Sequence, residues 1–124
     1  MFMQPFMQLK GKARDYLATI LLRINHNFEI SPETTLECYL DLTHILYVDL
    51  NYHDEEIDRI QQFSDSHDHN LLNLIKECFS VVTPDEKEFI ARKLRTLCAT
   101  GIASLQDERQ GAFRDIQATV DQFI

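Results

Sequence analysis

The sequence predicts an all-α fold of six or seven helices, and three observations support this prediction. The 124 residues include only three Gly and three Pro, the residues that most often interrupt helices. Apolar residues recur at three- and four-residue spacings along most of the chain, which is the period of a helix with one buried face. No segment sustains the alternation of apolar and polar residues that indicates a strand. We therefore expect a single helical domain over residues 1–124, long enough to bury a substantial core.

The first half of the domain, residues 8–66, follows an apolar arm at residues 1–7. The arm contains Pro5, and it either packs on the body or mediates association with another chain. The apolar stripe of the first helix consists of Leu9, Ala13, Leu17, Ile20, Leu21 and Ile24. Its basic residues are Lys10, Lys12, Arg14 and Arg23. They either form a solvated face or lie near the acidic residues that follow the second helix.

The second helix is predicted to begin at Ser31-Pro32-Glu33 and to end near Asp49. Ser accepts hydrogen bonds from first-turn amides, Pro fits the first helical position, and Glu favours the positive end of the helix dipole. Its predicted core positions are Leu36, Tyr39, Leu40, Thr43, Ile45, Leu46 and Leu50. A third helix is predicted to begin at His53 or Asp54 and to end in the polar segment 64–70. The apolar stripe of this helix consists of Ile57, Ile60 and Phe63.

The second half, residues 67–124, repeats this organisation. A fourth helix carries an apolar stripe, and a fifth begins at Thr83-Pro84-Asp85. A sixth is predicted to begin at Ser104-Leu105-Gln106-Asp107, which resembles a capping box. The offset that aligns Pro32 with Pro84 also aligns the neighbouring cap residues and several apolar positions. We therefore predict two three-helix halves related by a pseudo-two-fold axis.

The most unusual segment is the connection between the second and third helices, residues 49–56, which we call the acidic link. Residues 49–70 contain seven acidic side chains but only one Lys or Arg, Arg59, in a chain of net charge −8. The seven are Asp49, Asp54, Glu55, Glu56, Asp58, Asp65 and Asp68. Excess negative charge disfavours nucleic acid and anionic lipid surfaces, and favours basic proteins or cations. We therefore expect a protein partner and no nucleic acid. We also expect no membrane insertion, because the longest apolar run is far shorter than the roughly 20 residues of a membrane span.

The duplicated pattern resembles the TerB-like family, which is named after a bacterial tellurite-resistance protein and is also found in a membrane-anchored J-domain co-chaperone. In each half, the family has Asp-Gly after a helix and a Glu seven residues beyond that Asp. Asp49 and Glu56 match the acidic places of the first copy, and Gly101 and Asp107 match the glycine and second acidic places of the other. The departures are Leu50, in place of a glycine, and Thr100, in place of an aspartate. The resemblance implies a duplicated helical fold, a role in stress response or tellurite resistance, and acidic clusters suspected of binding metal ions.

The acidic link has a structural and a functional interpretation. In the first, Asp49 and Glu56 bind exposed amides at the start of the next helix, and Asn51 adopts a left-handed turn conformation. In the second, Asp49 and Glu56, together with Asp54 and Glu55, bind a hard divalent cation such as calcium or magnesium. A weaker alternative is a zinc site formed by His53, His67 and His69. Such a site would make the protein a small metal-dependent enzyme.

No familiar catalytic motif supports the enzyme alternative. The sequence has no glycine-rich phosphate loop, no Gly-x-Ser-x-Gly turn and no His-Glu-x-x-His helix. Cys38, Cys78 and Cys98 fall in helical apolar patterns and indicate buried thiols in a reducing compartment. We therefore expect a cytoplasmic, non-enzymatic module that binds a protein partner or a divalent cation through the acidic link.

Overall fold

The computed structural model describes residues 9–124, so the apolar arm at residues 1–7 lies outside the described residues. The described chain forms six α-helices and no strand, which confirms the predicted all-α class. The helices are α1 (Gly11–Phe28), α2 (Leu36–Thr43), α3 (Ile57–Asp65), α4 (Leu71–Val81), α5 (Pro84–Ser104) and α6 (Glu108–Asp121). A π-helical turn, His44–Asp49, extends α2, and a 3-10 turn, Asp54–Glu56, precedes α3.

The core is centred on α1, where Leu17, Ile20, Leu21 and Ile24 are fully buried. α1 packs against α3 and α4, while α5 packs against α2 and α6. The pairs α1 with α4 and α2 with α5 join the two predicted halves. The extensive contact of α5 with α6 has no counterpart of similar extent between α2 and α3. The duplication stays a prediction.

The predicted start of the fifth helix is confirmed, because Thr83 and Glu86 form a capping box. The Thr83 hydroxyl accepts from the Glu86 amide at 3.2 Å, and the Glu86 carboxylate accepts from the Thr83 amide at 2.9 Å. Pro84 occupies the first helical position, where its missing N–H leaves no hydrogen bond unmade.

The predicted start of the second helix was wrong by several residues. Ser31 closes a short turn instead, in which its carbonyl accepts from the amides of Thr34 and Thr35. Thr35 is then extended, and α2 begins at Leu36. The Ser31 hydroxyl accepts from the Thr34 amide at 3.3 Å within this turn, and the extended conformation of Thr35 separates the turn from α2.

The predicted capping box of the sixth helix was also wrong. Ser104 is the last residue of α5, and its hydroxyl donates to the Thr100 carbonyl. The residue that caps α6 is Asp107, whose carboxylate accepts from the Arg109 amide at 3.0 Å. Ser104 and Asp107 are three residues apart in the sequence, and both are residue types that commonly cap helices.

Gly101 lets α5 and α6 approach closely. A Cβ atom at this position would lie 2.7 Å from Cδ2 of Phe113, which is fully buried. The glycine that matched the family pattern therefore has a packing role in this fold.

Candidate functional site

The backbone of the acidic link turns sharply after the π-helical turn. Asn51 has a φ angle of +52°, which confirms the left-handed conformation predicted for it. The next amide, that of Tyr52, donates back to the carbonyl of Leu46 at 3.1 Å. Leu50 and Tyr52 are both buried, so the link is anchored by apolar side chains on either side of the turn.

Arg14 of α1 holds the acidic link in place. Its Nε donates to the carbonyl of Leu50 at 2.8 Å, and its Nη2 donates to the carbonyl of Asn51 at 3.0 Å. Both terminal nitrogens also bind the Glu56 carboxylate, with Nη2 at 2.7 Å from Oε1. The Arg14 guanidinium thus donates hydrogen bonds both to the carbonyls that follow the π-helical turn and to the carboxylate that precedes α3.

Arg59 completes this cluster from α3. It binds Glu56 at 2.7 Å and also pairs with Asp15, a buried carboxylate on α1. Hydrogen bonds from Arg14, and then from Arg59, lower the pKa of Glu56 from its ordinary value to about 2. Glu56 is therefore ionised at any physiological pH and is already fully paired.

Asp49 is held by a different cation. Nζ of Lys93, on α5, lies 2.9 Å from Oδ2 of Asp49, and Nδ1 of His44 lies 3.6 Å from the same oxygen. The sequence predicted that backbone amides would bind Asp49 and Glu56. That part of the structural interpretation was wrong, because these carboxylates form ion pairs with the side chains of Arg14, Arg59 and Lys93 instead.

The remaining predicted ligands do not join Asp49 and Glu56. Asp54 and Glu55 are exposed, and within residues 9–124 no group of three or more His, Cys, Asp or Glu side chains is placed to hold a metal ion. The calcium or magnesium site stays a prediction, and its two principal carboxylates already have cationic partners.

The three histidines of the zinc alternative do not form a group placed to hold a metal ion within residues 9–124. His53 and His69 are exposed, whereas His67 stacks on the ring of Phe63 at 4.0 Å. Nδ1 of His67 lies 2.6 Å from the carbonyl of Phe63, and its Nε2 lies 3.4 Å from the carboxylate of Glu77. Its contacts thus join the end of α3 to α4.

A groove that the sequence did not predict lies between α1, the π-helical turn and α3. It is open to solvent and has a volume of about 560 Å³. Its lining residues are Thr19, Leu22, Arg23, His26, Tyr47, Tyr52, Asp54, Ile57, Ile60, Gln61, Ser64 and Asp65. We call this the α1–α3 groove. Its side chains come from α1, the π-helical turn, the acidic link and α3, so no local motif could have indicated it.

Apolar and acidic side chains meet at the α1–α3 groove. Tyr47 is 50% exposed and Ile57 is 45% exposed; the third-helix stripe had placed Ile57 in the core. Asp54 and Asp65 line the same groove, and neither forms an ion pair with another residue of the described chain. The positive side chain in the lining, Arg23, donates to Ser64 and to the carbonyl of Asp68.

A second exposed apolar pair lies on α2. Leu36 and Leu40, which the sequence placed in the core, are each 53% exposed. The predicted stripe was wrong at these two positions, because they lie on the opposite side of α2 from its buried residues. The core face of α2 is formed by Cys38 and Leu42 instead.

The three cysteines are free and buried, as predicted. Burial raises the pKa of Cys38 to about 11 and the pKa of Cys78 and Cys98 to about 12. These thiols therefore stay protonated and unreactive in the folded protein.

No family model, curated protein or solved structure shows significant similarity to this chain. The resemblance to the TerB-like family, and with it the role in tellurite resistance, stays a prediction. None of the helices within residues 9–124 combines the length and the apolar character that crossing a bilayer requires.

Proposed function

We propose that this protein is a non-enzymatic helical module that binds a protein partner in the α1–α3 groove, beside the acidic link. The occupant is an amphipathic segment of the partner with apolar anchors and basic flanking residues. The observation that carries the proposal is the juxtaposition of half-exposed apolar side chains and carboxylates without ion pairs in one groove.

The apolar contribution comes from Tyr47 and Ile57, which stand at the groove with much of their surface in water. Covering such side chains is favourable, at about 25 cal/mol for each Å² of apolar surface removed from water. Aromatic anchors in grooves also contribute strongly to peptide recognition. A partner helix with apolar residues on one face would therefore fit this groove.

The acidic contribution selects the charge of the partner. Asp54 and Asp65 line the groove, and Glu55 and Asp58 are exposed on the adjacent turns. Like charge on a partner would be repelled, whereas Lys and Arg would be attracted at a rate that depends on ionic strength. The cation version of the hypothesis has less support, because Glu56 and Asp49 are neutralised by Arg14, Arg59 and Lys93.

The test uses two synthetic amphipathic peptides of the same apolar pattern, one of Leu and Lys and one of Leu and Glu. Each is titrated into the ¹⁵N-labelled full chain and followed by amide chemical shifts. We expect the Lys peptide to bind, with shifts confined to the groove and weaker affinity at high salt. The Glu peptide should cause no shifts.

Two matched variants locate the binding surface. Ile57→Asp places a charge in the groove and should weaken binding of the Lys peptide at least about tenfold. Leu36→Asp changes an equally exposed apolar side chain outside the groove and should leave binding unchanged. Absence of binding, or shifts centred on α2, would overturn the proposal. So would self-association that Ile57→Asp abolishes, because a second copy would then be the occupant.

A further inference from the structure

The lining of the α1–α3 groove includes one histidine, His26, which lies in the last turn of α1. His26 is exposed, and it forms no ion pair with another residue of the described chain. The other histidines of the sequence, His44, His53, His67 and His69, lie outside the lining. A proton gained by His26 therefore changes the charge of the groove itself.

We propose that protonation of His26 weakens the binding of a basic partner in the α1–α3 groove. This inference rests on the proposed function. Between about pH 7.5 and pH 5.5, histidine is the side chain that gains charge, whereas carboxylates and guanidinium groups keep theirs. The groove thus binds a basic segment more tightly at neutral pH than in mild acid.

The other charged side chains of the lining come from three elements. α1 contributes Arg23, the acidic link contributes Asp54, and α3 contributes Asp65. With one positive and two negative side chains, the lining has an excess of one negative charge while His26 is neutral. A single proton at His26 cancels this excess, and with it the net attraction for Lys and Arg.

The groove is small enough for this added charge to act on an occupant. A compact space of about 560 Å³ is roughly 8 Å across, which is about the Debye length at physiological ionic strength. Two unit charges that far apart in water change a binding constant about twofold. A segment that places two lysines in the groove should therefore bind about fourfold less tightly once His26 is protonated. The phenols of the lining, Tyr47 and Tyr52, are uncharged over this pH range and do not offset the effect.

The test measures the affinity of the Leu and Lys peptide for the full chain by calorimetry at pH 7.5 and at pH 5.5, at constant ionic strength. The wild type should bind about fourfold less tightly at pH 5.5. His26→Gln has no imidazole to protonate, so it should bind equally well at both pH values. His26→Lys carries a permanent charge, so it should bind at pH 7.5 as weakly as the wild type does at pH 5.5.

His69→Gln is the matched control, because His69 is exposed and does not line the groove. It should retain the pH dependence of the wild type. Each protein should give the same circular dichroism spectrum at both pH values, so that a change in affinity reports on the groove and not on unfolding. If the peptide does not bind at pH 7.5, the proposed function itself fails. If the wild type binds equally well at both pH values, or if His26→Gln keeps the pH dependence, this inference is overturned and the proposed function stands.

Discussion

Replacing Glu56 by Gln should destabilise the protein at neutral pH, and the effect should diminish in acid. Ion pairing lowers the pKa of Glu56 from 4.5 to about 2. At about 1.36 kcal/mol per unit of pKa, the full shift corresponds to roughly 3 kcal/mol. Glu56 is 26% exposed and Arg59 is 49% exposed, so solvent screening reduces the expected loss to about 1–2 kcal/mol.

The pH dependence follows from the direction of the shift. Between about pH 4.5 and pH 2, the unfolded chain binds a proton at Glu56 that the folded protein excludes. The stabilisation is therefore complete above pH 4.5 and is lost as the pH falls through about 2. Glutamine has no carboxyl group to titrate. The difference in unfolding free energy between the two proteins should therefore shrink across the same pH range.

Urea denaturation followed by circular dichroism, at pH 7 and at pH 3, measures both effects. The matched control is Glu55→Gln, at the neighbouring exposed acid, which should change the unfolding free energy by less than about 0.5 kcal/mol. A Glu56→Gln protein as stable as the wild type at pH 7 would refute the argument. A deficit of equal size at both pH values would show that packing, and not charge, is responsible.

Two further predictions concern the core. Gly101→Ala should cost about 1–3 kcal/mol of unfolding free energy, because its methyl group would press on the Phe113 ring. In the same denaturation assay Gly111→Ala, where the added atom meets nothing within 4 Å, should stabilise the protein by about 0.5–1 kcal/mol. The native protein should react slowly with a thiol reagent at pH 8, and all three cysteines should react in guanidinium, because burial raises their pKa values well above that pH.

The helices could be predicted because their apolar periodicity and caps are local signals. Thr83 and Pro84 specify the start of α5 within a few residues, and Asn is one of the few residue types that readily adopt the left-handed turn seen at Asn51. Prediction failed where two local signals competed, as at Ser31, which closes a turn, and at Ser104, which lies next to the true cap.

The candidate site could be predicted only in part. The acidic link was evident from composition, but the partners of its carboxylates were not, since Arg14 and Glu56 are 42 residues apart in sequence. The charge pattern of a sequence predicts that an acidic side chain will have a basic partner, but it does not predict which basic residue that partner is. The groove depends on how α1, the π-helical turn and α3 pack together, and this packing is not visible in the sequence. A 3.6-residue periodicity assigns Ile57 to the core whether or not a neighbouring helix covers it.

Four acids of residues 49–70 form two groups with different consequences. Glu56 and Asp49 form ion pairs with basic side chains of α1 and α5, and these ion pairs fix the conformation of the turn. Asp54 and Asp65 line the groove and form no ion pair with another residue of the described chain. Because the paired acids hold the backbone between Tyr47 and Ile57, they preorganise the surface on which the other acids act. Preorganisation lowers the entropic cost of binding, so the ion pairs that stabilise the fold would also strengthen the interaction with a basic partner.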